Sequence, residues 1–244
     1  MADEAPFLQF VREVDGHPHF FTICAWTKAD LPQLNFALTI HVPFSPVEMG
    51  APAAQRLKHT YKIEDGLEHA LKPVGGVHMG HVVTPKSTLV LFRSERPAPA
   101  EVEIKTGLLK KETVSISTRE DRDWDWHNSE VQPSLKEVHL SRNMMLHHTL
   151  AEQGDNVQAA RPVDFTFCFS DAGRRQAGYA ELQSLGYELN SEGMTESDGD
   201  YWMSVVADSN VEPDQMAERC VKLTEVAERH GGEFDGWACP VVKG

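Results

Sequence analysis

The side chains best equipped for chemistry in this sequence are twelve histidines and a run of alternating aspartate and tryptophan. His17-Pro18-His19 would place two imidazoles on one face of a strand. His78-Met79-Gly80-His81 spaces two more by a pair of residues, and His148 and Glu152 would share one helical face. None of these brings a third ligand close in sequence, and no Cys-x-x-Cys or His-Glu-x-x-His occurs. They read as surface or core histidines, with no metal and no cofactor expected. Laid out as a strand, Asp123-Trp124-Asp125-Trp126-His127 would show two indoles on one face and two carboxylates on the other. That arrangement suits a binding edge or a stacking platform. A domain–domain contact covering the tryptophans is favoured over either, because Trp is usually largely buried. An alternative reading joins His78 and His81 to Asp123, Trp124, Asp125, Trp126 and His127 as a small-molecule or metal site, in an enzyme or sensor. No catalytic residue is assigned, since there is no Gly-x-Ser-x-Gly elbow and Gly75-Gly76 lacks the spacing of a phosphate loop. The chain reads as a non-enzyme.

The sharpest local signal lies between Pro213 and Val242. Met216, Cys220, Leu223 and Ala227 recur at helical spacing and make one apolar stripe. Pro213 suits the first helical position, Asp214 and Arg229 match the two ends of the helix dipole, and Gly231-Gly232 supply the stop. Glu233-Phe234-Asp235-Gly236-Trp237 then reads as a closing strand. Here Trp237 would pack the sheet and Gly236 would allow close approach. The other reading is a protein-binding edge of Glu233, Asp235 and Trp237, Trp being favoured at interface hot spots.

The elements that would position these groups can be taken in order. Phe7 to Val14 and His19 to Trp26 form a hairpin across Asp15-Gly16, and Leu34 to Val42 is a third strand. Residues 53–71 are a helix weakened by Gly66. Val77 to Thr84 and Thr88 to Ser94 make a second hairpin. Glu101 to Lys111 is ambiguous between helix and strand, and Thr113 to Thr118 is one strand. A capping box at Ser134 opens a helix to about Gln153, with a break possible near Ser141-Arg142-Asn143. Val163 to Phe169 alternates as a half-buried strand, Ser170-Asp171 caps a helix, Tyr187 to Asn190 is a strand, and Ser191 to Asp200 is an acidic turn. Tyr201 to Ala207 is the next strand. The fold class is therefore α+β in two domains. Residues 1–133 form an antiparallel sheet with helices, 134–160 a bridging helix and linker, and 161–244 a ferredoxin-like βαββαβ sandwich.

That final helix and Glu-aromatic-Asp-Gly-Trp strand resemble the C-terminal half of the regulator of ribonuclease E activity B family. Leu185-Gly186-Tyr187-Glu188-Leu189 is similar to the family's Gly-Tyr-Glu strand start, and Leu150-Ala151-Glu152-Gln153-Gly154-Asp155 to its opening helix end. The preceding region resembles a bacterial domain family of unknown function often fused in front of such a module. The resemblance implies a non-catalytic regulator that binds a protein, a ribonuclease E-like endonuclease, and inhibits it by occupying its surface. Family members extend beyond the Trp strand in an acidic tail, whereas this sequence stops at Gly244.

Charge agrees with a protein partner rather than with nucleic acid. The net charge is −14, and from Arg161 onward 16 acidic residues face 7 basic ones. Glu192, Glu196, Asp198 and Asp200, in the acidic turn, are the expected contacts with a basic partner. Four widely spaced cysteines in apolar patterns read as reduced thiols, and no membrane or export signal is visible. A cytoplasmic location is expected.

Overall fold

The computed structural model describes residues 7–45, 53–107, 110–195 and 199–243, the side chains of 53–56 excepted. It divides into two compact units, Met1–Pro133 and Ser134–Gly244. Both are mixed α+β with antiparallel sheets.

In the first unit β1 (Phe7–Val14) and β2 (His17–Cys24) form the expected hairpin. Asp15 and Gly16 both take left-handed φ, 52° and 74°, which matches the twist of the flanking strands. With β3 (Phe36–Pro43), β4 (Val77–Val83), β5 (Ser87–Ser94) and β8 (Ser117–Glu120) they make a six-stranded sheet ordered β1-β2-β4-β5-β3-β8. β5 is buried almost throughout, its Ser87, Thr88, Arg93 and Ser94 included, because both faces of the sheet are covered. On one face Leu38, Ile40, Val90 and Phe92 pack with Ile63 and Leu67 of helix α1 (Ala53–Ala70). On the other, Phe10, Phe21, Ile23 and Leu91 pack with Trp124 and Val131.

Two expectations change here. Gly66 is not merely a weak point in α1: a Cβ there would stand 2.9 Å from Cβ of Ile104. Glycine lets the small hairpin of β6 (Glu101–Lys105) and β7 (Lys111–Ser115) approach the helix. The single strand expected over Thr113 to Thr118 is two strands in two sheets, β7 pairing with β6 and β8 with β3. Between them Ile116 turns inward and its N–H donates to the Ala100 carbonyl at 2.8 Å.

The second unit begins with α2 (Leu135–Glu152), opened by the capping box of Ser134 and Glu137 and continuous through Ser141-Arg142-Asn143. Four antiparallel strands follow: β9 (Arg161–Phe169), β10 (Glu188–Met194), β11 (Tyr201–Ser209) and β12 (Gly232–Ala238), in the order β10-β11-β9-β12. Helices α3 (Ala172–Ser184) and α4 (Pro213–Arg229) complete the βαββαβ sequence. Val163, Phe165, Phe167 and Phe169 point into the core with Met216, Cys220, Leu223 and Ala227. The stripe read from sequence is thus the buried one.

The helix expected to bridge the domains lies inside this unit. His139 Nε2 meets Thr224 Oγ1 at 2.9 Å, Asn143 reaches Cys220 Sγ, and Leu146 and Leu150 join the core. All four cysteines are free thiols. Among the described residues no helix is long and apolar enough to cross a membrane.

Candidate functional site

His78 and His81 stand three residues apart on β4, and in a regular strand they would face opposite ways. They do not, because a bulge intervenes: His78 pairs with Phe92 and Gly80 with Leu91, leaving Met79 as the extra residue. Gly80 takes φ 115°, and a Cβ on it would lie 2.0 Å from the Thr22 carbonyl oxygen, so only glycine fits. Both imidazoles therefore face α1. There His81 Nδ1 is 2.8 Å from Glu64 Oε1, and His78 Nε2 is 3.8 Å from the same oxygen. His78 Nδ1 lies 3.9 Å from Glu68 Oε1, one helical turn further on. Glu64 and His81 are each 7% exposed. Burial pushes the His78 imidazole below its ordinary pKa, against the pull of Glu64 and Glu68. Phe7 and Tyr61 border the cluster with rings 6.4 Å from His78 and 6.1 Å from His81.

Asp123 to His127 does not join this cluster; the sheet separates them. Phe92, opposite His78, belongs to the α1 side, whereas the next residue, Arg93, emerges on the other face beneath Trp124. Nor is the run a strand. Trp124 has φ 61°, and residues 127–131 form a π-helical turn. Its indole is fully buried within the first unit's own core. The Arg93 guanidinium lies 3.9 Å from the ring centroid, and Trp124 Nε1 donates to the Leu34 carbonyl at 3.0 Å. Arg93 also donates to Asp121 Oδ2 at 2.8 Å and to the Leu34 carbonyl. Burial works against ionisation of Asp121, but Arg93 and the Trp126 N–H outweigh it and hold the carboxyl below its usual range. His127 packs edge-on to Trp124 at 4.9 Å, and burial lowers its pKa to about 4. Asp123 and Asp125 are exposed and Trp126 half-buried. This constellation holds the core together and offers no platform of stacked indoles.

In the second unit the helices cover one face of the sheet. Asp164, Thr166 and Cys168 of β9 point to the other face, beside Trp202 and Ser204 of β11. Of the sequence-predicted contacts, Glu233 and Asp235 are exposed on β12, and Asp200 is half-buried at the β10–β11 turn. Glu192 of β10 is engaged by Arg175 at 3.1 Å. Glu196 and Asp198 lie outside the described residues. Trp237 turns toward the helices: it packs on the core, its ring centre 5.6 Å from that of His147. A second bulge does this. Phe234 pairs with Phe167 and Gly236 with Thr166, so Phe234 and Trp237 face inward together while Asp235 bulges out. The four strands carry six carboxylates, Asp164, Glu188, Glu192, Asp208, Glu233 and Asp235, against one base, Arg161. Arg161 is buried, donating to Asp155 and the Pro240 carbonyl, while Asp155 accepts from the Val242 N–H at 2.7 Å.

Sequence reasoning missed Glu64, Glu68, Arg93, Asp121 and Arg161 because each meets its partner across elements. Only the i, i+4 spacing of Glu64 and Glu68 on α1 carried a signal. Among the described residues no three His, Cys, Asp or Glu side chains are already set at metal-ligand spacing.

The second unit is thus an α+β domain with one sheet face under helices and an acidic face beyond them. Its residues 138–239 match the family described as regulator of ribonuclease activity B. The match lies wholly within that unit. No curated protein matches the chain. A crystal structure of an unknown protein from Galdieria sulphuraria aligns over 85% of this chain and 99% of its own, at 13% identity and a TM-score of 0.24. A likeness that slight carries no argument.

Proposed function

We propose that the second unit is a non-catalytic regulator that binds a ribonuclease E-like endonuclease and inhibits it by occupying a basic protein surface. The match of residues 138–239 to a family of ribonuclease regulators carries this reading. The strands support it physically. Six carboxylates with a single, buried base repel phosphate backbones and attract a basic protein. Glu233 and Asp235 on β12, with Asp200 at the hairpin turn, are the contacts that steer the encounter. Trp237 acts from beneath by holding β12 in place.

The test is binding of the full chain to the catalytic region of such a nuclease, at micromolar concentration and low salt, with cleavage of a model RNA followed in parallel. Saturable binding that slows cleavage supports the reading. Absence of binding sinks it, and binding that RNA abolishes at low occupancy points to contact with nucleic acid instead.

A further inference from the structure

We propose that Glu64, His78 and His81 bind one divalent first-row transition-metal ion, with Glu68 orienting His78 from behind. In tetrahedral zinc sites, metal–ligand bonds of 2.0–2.1 Å place ligand atoms about 3.3 Å apart. Glu64 Oε1 stands 2.8 Å from His81 Nδ1 and 3.8 Å from His78 Nε2, so the two separations straddle that edge. An ion enters when Glu64 and His81 part and His78 draws in, each by about half an ångström.

Three independent features point to a cation. Glu64 is buried, and among the described residues no lysine or arginine pairs with it; its partners are the two imidazoles. Buried carboxylates are ordinarily paired with a full positive charge or a metal. His78 Nε2 is buried with no hydrogen-bond partner. Its other nitrogen lies 3.9 Å from Glu68 Oε1, near but not at the hydrogen-bond distance of the carboxylate–histidine arrangement that fixes the tautomer of a metal-bound imidazole. Finally, the strand departs from regular geometry to bring the two rings to one face, by a bulge at a glycine no other residue can replace. Two imidazoles and one carboxylate select zinc, iron, nickel or cobalt over calcium and magnesium, which prefer all-oxygen sites. Three protein ligands leave a coordination position free for water or a small ligand, as in catalytic rather than structural sites. His78 and the exposed Phe7 and Tyr61 open that position toward solvent.

The full chain, freed of metal with a chelator, is titrated with Zn2+ and with Co2+, the latter followed by its visible absorption. One ion per chain is expected, with no binding of Ca2+ or Mg2+ at the same concentration. Cobalt bands of nitrogen and oxygen ligation are expected, without sulfur charge transfer. Glu64→Gln and His78→Gln abolish binding. Glu68→Gln changes an exposed side chain and weakens binding about 10- to 100-fold. His17→Ala with His19→Ala, which removes the exposed His17 and half-buried His19 of β2, leaves binding unchanged. Zinc raises the thermal midpoint of the parent chain and not of Glu64→Gln. The proposal is overturned by no binding in the parent chain, by sulfur charge-transfer bands, by loss in the His17/His19 variant, or by unaltered affinity in Glu68→Gln and His78→Gln.

Discussion

Arg93 and Asp121 show how much of the first unit's stability rests on single buried charges. Arg93 is 1% exposed and Asp121 7%, and between them they satisfy the Leu34 carbonyl and the backbone N–H of Trp126. Removing one partner leaves a charge buried without compensation. Asp121→Ala should destabilise the unit by about 3–5 kcal/mol in urea unfolding, whereas Arg93→Met with Asp121→Leu together should cost less. A single variant within 0.5 kcal/mol of the parent, an interval of about the ordinary surface effect, would show the pair to be solvated. His127 beside it has a pH signature. Its pKa is about 4 in the fold against 6.5 unperturbed, so between those values the unfolded chain takes up a proton that the folded chain refuses. The associated stability is present above pH 6.5 and is lost as pH falls toward 4, by up to about 3 kcal/mol. His127→Gln should flatten that slope relative to the parent, which paired urea melts at about pH 7 and about pH 4.5 would measure. An unchanged slope would mean that another group titrates there.

At the scale of elements, the two units use one device twice. A bulge beside a glycine turns an i, i+3 pair onto a single face: His78 with His81 in β4, Phe234 with Trp237 in β12. The two glycines differ in what surrounds them. A side chain on Gly80 meets the Thr22 carbonyl, while one on Gly236, at φ 141°, meets nothing within 4 Å. Gly80→Ala should therefore destabilise by more than about 2 kcal/mol, and Gly236→Ala by about 1 kcal/mol of backbone strain alone. Equal costs for the two would show that the close approach of β2 and β4 is not what constrains Gly80.

These bulges mark where sequence reading ran out. Alternation in β9 and the helical stripe of Met216, Cys220, Leu223 and Ala227 were legible because a one-sided core imposes a period on a chain. An extra residue in a strand changes no composition; it only shifts phase, so nothing in the sequence says that His78 and His81 share a face. The same limit split the expected Thr113 to Thr118 strand, whose β-branched residues serve two sheets. For Asp123 to His127 the alternation was real but carried no strand, since the partners that fold it inward, Leu34 and Arg93, are remote in sequence.

For the whole molecule the dominant quantity is charge. A net −14, with the excess of acid concentrated after Arg161, acts beyond contact distance and so governs encounter rather than residence. Raising salt from about 0.05 to about 0.5 M shortens the screening length from about 14 to about 4 Å. Association with a basic protein should slow markedly over that range. Reversing Glu233 and Asp235 should lower the on-rate more than it raises the off-rate, as stopped-flow measurement would show. Trp237→Ala should instead lower the stability of the second unit, because the indole packs on its core. A salt-independent on-rate would leave the acidic strands as a solubility feature.

The buried Arg161 has a mechanical consequence. β9 and β12 are neighbours running antiparallel, so the start of β9 and the end of β12 lie at the same end of the sheet. Force drawn through those two points loads their hydrogen bonds one after another, as in a zipper, the weak direction for a β-pair. The clasp of Arg161 and Asp155 on the Pro240 carbonyl and the Val242 N–H closes that end. An unfolding machine pulling on the C-terminal residues would meet this clasp before it reached any strand. Once the clasp opened, β12 would peel from β9 one hydrogen bond at a time, resisted by the packing of Phe234 and Trp237 on the core.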